Sequence, residues 1–235
     1  MTEESAGLTP LASVVLVVRN GEQFIAAALQ SVVDQDYTPK EILVIDGQSN
    51  DTTAAIARRF PEVRVIPQIG RGIADAYNLG IRCAQGEFVS FISHDDIWNA
   101  GKLAQQIQFL REHPWVEYVT GRVKFFIEPG CPVPYGFRKE LLDGDHVGHV
   151  METLVARKTV FEQVGLFDSS LTTAEDVDWF NRARQMGIAS AVTPVVVLHK
   201  RIHGRNSSLN VSENDANLLR VARHSIARKR RAPDA

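Results

Sequence analysis

The stretch Phe88-Val89-Ser90-Phe91-Ile92-Ser93-His94-Asp95-Asp96-Ile97-Trp98 carries an apolar, strand-like segment straight into two adjacent carboxylates. A short apolar run without alternation is what a strand buried on both faces of a parallel sheet requires. Upstream, Ser13–Val18, Ile42–Ile45 and Val63–Ile66 have the same character, and the second of them ends in Asp46-Gly47. Between these runs Glu22–Val33 places Phe24, Ile25, Ala28, Leu29, Val32 and Val33 at helical spacing, Asp51–Arg59 reads as a helix with Asp51 as N-cap, and Ile73–Cys83 as another helix. Strands alternating with helices predict an α/β layered domain, with a predominantly parallel central sheet, right-handed crossovers and flanking helices. Ligands bind beyond the carboxyl ends of the strands in such sheets. Asn20, Asp46 and Ser93-His94-Asp95-Asp96 are therefore expected at one rim.

Past Asn99 the pattern predicts a helix over Gly101–His113 stopped by Pro114, a strand over Tyr118–Ile127, and a Pro- and Gly-rich loop over Glu128–Gly136. Helices are expected over Glu152–Val164 and Glu175–Met186. A late strand is expected over Val192–His199, where Pro194 suits an edge or strand-start position.

With 44% of its 235 residues apolar, the chain can bury one sizeable core, which gives a main domain over 1–210 and a basic helix or tail over 211–235. A formal net charge of -2 argues against a body built to hold nucleic acid. Cys83 and Cys131 are too few and too isolated for a disulfide framework or a zinc site, so a reducing, cytoplasmic setting is expected. Met1–Pro10 carries Glu3 and Glu4 without a basic flank and does not read as a secretory signal. No apolar run approaches the roughly 20 residues needed to span a bilayer, so any membrane contact is expected to be peripheral. From Lys200 onward nine Lys or Arg stand against three acids. Leu218, Leu219, Ala222 and Ile226 sit near helical spacing with Arg220, Arg223 and Arg228 between them. Such a helix is either a solvated face or a contact for the inner face of an anionic membrane or an acidic carrier.

Adjacent acids at a strand end repel unless a cation or hydrogen-bond donors offset them. Asp95 and Asp96 suit a divalent metal carrying a diphosphate, since Mg2+ and Mn2+ bridge one or two carboxylates to phosphate oxygens; they equally suit an acidic turn or cap. Asp46-Gly47 poses the same choice between ligand contact and turn. Thr173-Ala174-Glu175-Asp176-Val177-Asp178 enters a helix, where acids are ordinary first-turn residues; a transferase, however, needs a group to take a proton from the acceptor hydroxyl.

Five segments in order resemble the family 2 glycosyltransferases, over about Ser13 to Ser208: Ser13–Glu22; Leu29-Gln30-Ser31 with Gln35-Asp36-Tyr37; Val44-Ile45-Asp46-Gly47 through Thr52; Gly72-Ile73-Ala74-Asp75-Ala76-Tyr77-Asn78-Leu79-Gly80; and Ala84–Asp96, ending in a DxD-type motif. The resemblance implies a GT-A fold and an inverting transfer of sugar from a nucleotide diphosphate donor, UDP-sugar favoured, to an unidentified acceptor. It implies donor contacts at Val18, Asn20, Asp46 (to the base), Gly72, Asp75, Asn78 and Asp95, and Mg2+ or Mn2+ at Asp95 and Asp96. Glu175-Asp176 resembles the family's ED motif, which makes Asp176 the general base. His203, in Arg201–Ser207, is similar to a late histidine that closes over the diphosphate and metal. Val17, Arg19 and Gly47 depart from the family pattern, and Ser93 stands where the first DxD acid is common. Two alternatives remain: a catalytically silent nucleotide-sugar-binding protein, or a nucleotidyltransferase, for which Arg19-Asn20-Gly21 makes a poor phosphate loop. A dinucleotide-binding domain would want G-x-G-x-x-G after the first strand, and Gly70-Arg71-Gly72 is both misplaced and incomplete.

Overall fold

A computed structural model describes residues 9–206, 209 and 211–231; Glu3, Glu4, Ser207 and Ser208 lie outside the described residues. Strands β1 (Ala12–Val18), β2 (Lys40–Asp46), β3 (Val63–Pro67) and β4 (Phe88–Ser93) pair in parallel, with β1 between β2 and β4. Beyond β4 the sheet becomes mixed. The short β8 (Val155–Arg157) is antiparallel to β4 and to β6 (Tyr118–Ile127), which runs parallel to β9 (Ser190–Ile202). At the far edge β5 (Ile97–Trp98) is antiparallel to β9, and β7 (His146–Val147) pairs with β6.

Every residue of β1 is buried, and the strand's two-residue period divides it between two cores. Val14, Leu16 and Val18 share one with Ile25, Ala28, Leu29 and Val32 of α1 (Ile25–Val33). Val15 and Val17 face Ala74, Ala76, Tyr77 and Ile81 of α3 (Gly72–Cys83). Each such Val, Leu or Ile side chain contributes about 1.5–3 kcal/mol by leaving water. Helix α3 lies close on the sheet because Gly80 has no side chain: a Cβ there would stand 2.3 Å from Cγ1 of Val15.

Three expectations are corrected. The helix expected over 51–59 shrinks to α2 (Thr53–Ala57), although Asp51 still accepts from the Thr53 N–H at 2.9 Å. The helix expected over Glu152–Val164 is instead a 3-10 turn (Met151–Thr153), β8 and α5 (Val160–Val164). Tertiary contacts override local pattern here: from α4 (Lys102–Glu112), Gln106 donates to the Thr153 carbonyl and Lys102 to the Leu154 carbonyl, while Val155 and Ala156 pair with β4. Finally, Pro194 lies inside β9, which sits between β6 and β5, and falls where the register slips from Thr120↔Val192 to Arg122↔Val196. This irregularity accommodates a residue without an N–H.

Helix α6 (Glu175–Gln185) carries the second acidic group, and α7 (Val211–Arg231) is fastened beside it. Asn217 donates to the hydroxyls of Thr172 and Thr173 at 3.0 Å, Arg228 to Asp178 at 3.1 Å, and Val221 is buried. Among the described residues no helix is long and apolar enough to cross a membrane.

Candidate active site

The carboxyl ends of β1, β2 and β4 converge on a cavity of about 830 Å³, within the size range of small-molecule sites. Val18 ends β1 and Arg19 follows it, Gly47 and Gln48 follow β2, and Ser93 ends β4 with His94 and Asp95 after it. Gly70, Arg71 and Gly72 contribute the start of α3, and Thr172 to Asp176 the entrance to α6. Glu152 from the 3-10 turn, Lys200 from β9, and Arg205 and Asn206 beyond it complete the far wall. Among the described residues three that are not glycine have positive φ, Asn20 (53°), Gln48 (59°) and Ala174 (60°), and all three lie on the loops that shape this cavity. Such a conformation costs an ordinary residue roughly 1–2 kcal/mol. At Ala174 it turns the chain so that Glu175 and Asp176 open the helix at the cavity wall.

Of the expected residues, Val18, Gly72, Asp95, Glu175 and Asp176 line the cavity. Others stand behind it as supports. Asn20 accepts the Asn50 N–H at 3.0 Å and offers its own N–H to Ser49, which ties the loops after β1 and β2 together. Asp46 accepts the Ser49 N–H at 3.3 Å, beside lining residue Gly47. Asp75 accepts the Arg71 N–H at 2.8 Å and the Ser169 hydroxyl, so it fixes the Gly70-Arg71-Gly72 rim. The structure does not bring the Asn78 side chain to the cavity: its amide is consumed by the backbone of Phe167, donating to O and accepting from N at 2.9 Å each.

The acids differ sharply in environment. Burial works to raise Asp95, but the hydrogen bond from His203 and the charges of His94 and Lys200 prevail and hold it down at about 2. Its Oδ2 lies 3.1 Å from Nε2 of His203 and accepts from Asn206 at 3.2 Å. Asp176 is pushed up to about 6 by burial and then by the Glu152 carboxylate. Glu175 rises to about 8 through burial and the charge of Asp176. Two groups with separated protonation behaviour thus sit side by side at the entrance to α6.

The set that the resemblance assigns to Mg2+ or Mn2+, namely Asp95, Asp96 and His203, does not fit a metal ion. Asp96 is fully buried and lies behind the cavity wall; Oδ2 accepts from Lys200 at 2.9 Å and Oδ1 from the Arg201 N–H at 3.0 Å. His203 is buried against Phe24, its Nε2 directed at Asp95 and its Nδ1 accepting the Arg205 N–H at 3.2 Å. Ser93 supplies a hydroxyl where a carboxylate is common, and it donates to Glu152 at 2.5 Å. Among the described residues no group of three or more His, Cys, Asp or Glu is disposed to hold a metal.

Sequence reasoning missed Glu152, Lys200, Arg71 and Arg205. The sequence trace of the first two is their place after apolar residues, Glu152 after Val150-Met151 and Lys200 after Val195–Leu198 and His199. Arg71 and Arg205 sit in glycine-flanked loops and carry no pattern.

A model of the family described as Glycosyl transferase family 2 matches residues 13–162. A relative from Rickettsia typhi, named an uncharacterized glycosyltransferase, is 27% identical over 225 residues, covering 87% of this chain and 69% of the relative. The mannosyltransferase PcManGT from Pyrobaculum calidifontis, solved in complex with GDP-Man and Mn2+, superposes with a TM-score of 0.69 at 23% identity, over 96% of this chain and 66% of that one. S. aureus TarS 1-349 in complex with UDP-GlcNAc gives a TM-score of 0.65 at 24% identity, over 83% of this chain and 59% of that one. At these identities the two structures establish a shared fold, and this chain spans less than two thirds of either.

Proposed function

Because the chain belongs to glycosyl transferase family 2, we propose that its cavity takes a nucleoside diphosphate sugar, UDP-sugars first among them, and passes the sugar with inversion to an acceptor hydroxyl. The observation that carries this reading is the meeting of Asp95 and Asp176, far apart in sequence, in the wall of one cavity of about 830 Å³. The loops after β1 and β2 and the Gly70-Arg71-Gly72 rim bind the nucleotide portion, while Asn20, Asp46 and Asp75 hold those loops in place. Asp176, poised near 6, is ionised at neutral pH and accepts the proton of the incoming hydroxyl. A single displacement suffices, since a covalent route needs a carboxylate beneath the sugar that nothing here assigns.

The reading includes a peripheral contact of α7 with an anionic membrane face. Leu218, Leu219 and Ile226 are exposed on it beside the exposed Arg223, although Arg220 and Arg228 are spent on Ser170 and Asp178. Cosedimentation with vesicles rich in phosphatidylserine should be lost on Leu219→Glu with Ile226→Glu; retention by that variant removes the membrane contact from the account.

The direct test of the transferase reading is incubation with a panel of UDP-, GDP-, dTDP- and CDP-sugars, scored for release of the nucleoside diphosphate and for the anomer of the sugar product. Release from one or more donors with inverted product is expected. Absence of turnover together with tight donor binding would instead favour a silent binding protein.

A further inference from the structure

The ammonium of Lys200 occupies the position where the resemblance would lead one to look for a metal. Its Nζ lies 2.9 Å from Oδ2 of Asp96 and 3.5 Å from Oε1 of Glu152, and the same Glu152 oxygen accepts the Ser93 hydroxyl. Lys200 also lines the cavity, as do Asp95 and Asp176. A divalent ion entering here would have to displace this ammonium from two carboxylates, or stand beside it against like-charge repulsion. Oδ1 of Asp96 is taken by the Arg201 N–H, and Oδ2 of Asp95 is engaged by His203 and Asn206. Positive charge is nevertheless plentiful: Arg19, Arg71, Lys200 and Arg205 line the cavity, matching in number its four lining carboxylates.

We propose that Lys200 is the resident cation of this site, receiving the donor diphosphate in place of a divalent metal, with Arg205 as a second positive group, so that donor binding and transfer need no Mg2+ or Mn2+. The inference rests on the nucleotide-sugar reading above. An ammonium has three N–H groups; Asp96 takes one and Glu152 lies toward another, which leaves donor capacity for a phosphate oxygen. In the transfer the bond from the anomeric carbon to the diphosphate oxygen breaks, its electron pair leaving with the diphosphate. The acceptor oxygen forms the new bond, and its proton goes to Asp176. Lys200 stays protonated throughout and stabilises charge on the leaving group, as a metal does elsewhere. Burial alone would lower the Lys200 ammonium, but the carboxylates of Asp96, Glu152 and Asp95 outweigh it and raise it above the ordinary lysine range.

The test is calorimetric titration of the full chain with UDP, GDP, dTDP and CDP, in excess EDTA and again with Mg2+ or Mn2+, on wild type, Lys200→Met and the double variant Lys200→Met with Asp96→Asn. The double variant leaves no unpaired buried carboxylate at Asp96, and a cooperative thermal melt verifies its fold. At least one nucleotide should bind wild type equally with and without metal, and the folded variants should lose about tenfold or more in affinity in EDTA. Binding by wild type only when metal is present overturns the proposal and leaves the nucleotide-sugar reading standing. Equal binding by wild type and the double variant overturns it as well. Failure of every nucleotide to bind under either condition overturns both the proposal and the reading beneath it.

Discussion

At the scale of single residues, the chemistry turns on how burial separates groups that are identical in the sequence. Asp95 and Asp176 are both aspartates at the mouth of one cavity, yet His203 holds the first near 2 while burial and Glu152 lift the second to about 6. A base must be ionised to work, so kcat/KM should fall as pH drops through about 6 and level off above it, the free-enzyme pKa being the one such a profile reports. A profile flat from pH 5 to 8 would mean that Asp176 takes no proton. The carboxylates Asp95, Asp176 and Glu175 were legible in the sequence because strand ends and helix entrances announce themselves. That Asp96 lies behind the wall on Lys200, and that Asn78 serves the backbone of Phe167, could not be read there. Adjacent residues on one chain share a motif but point to opposite sides, and only the packing of β9 against β5 decides which of Asp95 and Asp96 faces the cavity.

Among the elements, those whose fate is set locally were read well and those set by distant partners were not. Strands β1, β2 and β4 betray themselves by apolar runs that suit nothing but a doubly covered sheet, and α3 by its amphipathic spacing. The 3-10 turn at Met151–Thr153 has no such pattern; it is held from other elements, with Gln106 donating to Thr153 O, Trp98 to Glu152 O at 3.1 Å, and Lys102 to O of Leu154 just after it. Glu152 was missed for that reason. The close seating of α3 on β1 makes Gly80 a sharp probe. Gly80→Ala places a methyl 2.3 Å from Cγ1 of Val15, within fully packed core, and should destabilise the chain by about 1–3 kcal/mol in urea denaturation. A stability equal to wild type would show that α3 can shift outward without penalty, and that the register of the Gly72 rim is not fixed by this contact.

Across the whole molecule, the cavity exists only because the two halves of a mixed sheet close on it. The parallel half brings the loops that follow β1, β2 and β4; the half built from β6, β8 and β9 brings Glu152, Lys200 and the His203 support of Asp95; α6 brings Glu175 and Asp176 across the opening. Charge is balanced over this assembly and not within any one element, which is why composition alone, at a formal net charge of -2, said little about the site. The claim that joins these parts is that Asp176 acts as base on the acceptor hydroxyl while the opposite wall holds the donor, and the sharpest measurement is a paired determination of donor affinity and turnover for wild type and Asp176→Asn. The account predicts that the variant binds the active nucleotide sugar about as tightly as wild type while its kcat drops by roughly 10²–10⁴. Turnover by the variant at the wild-type rate would contradict it.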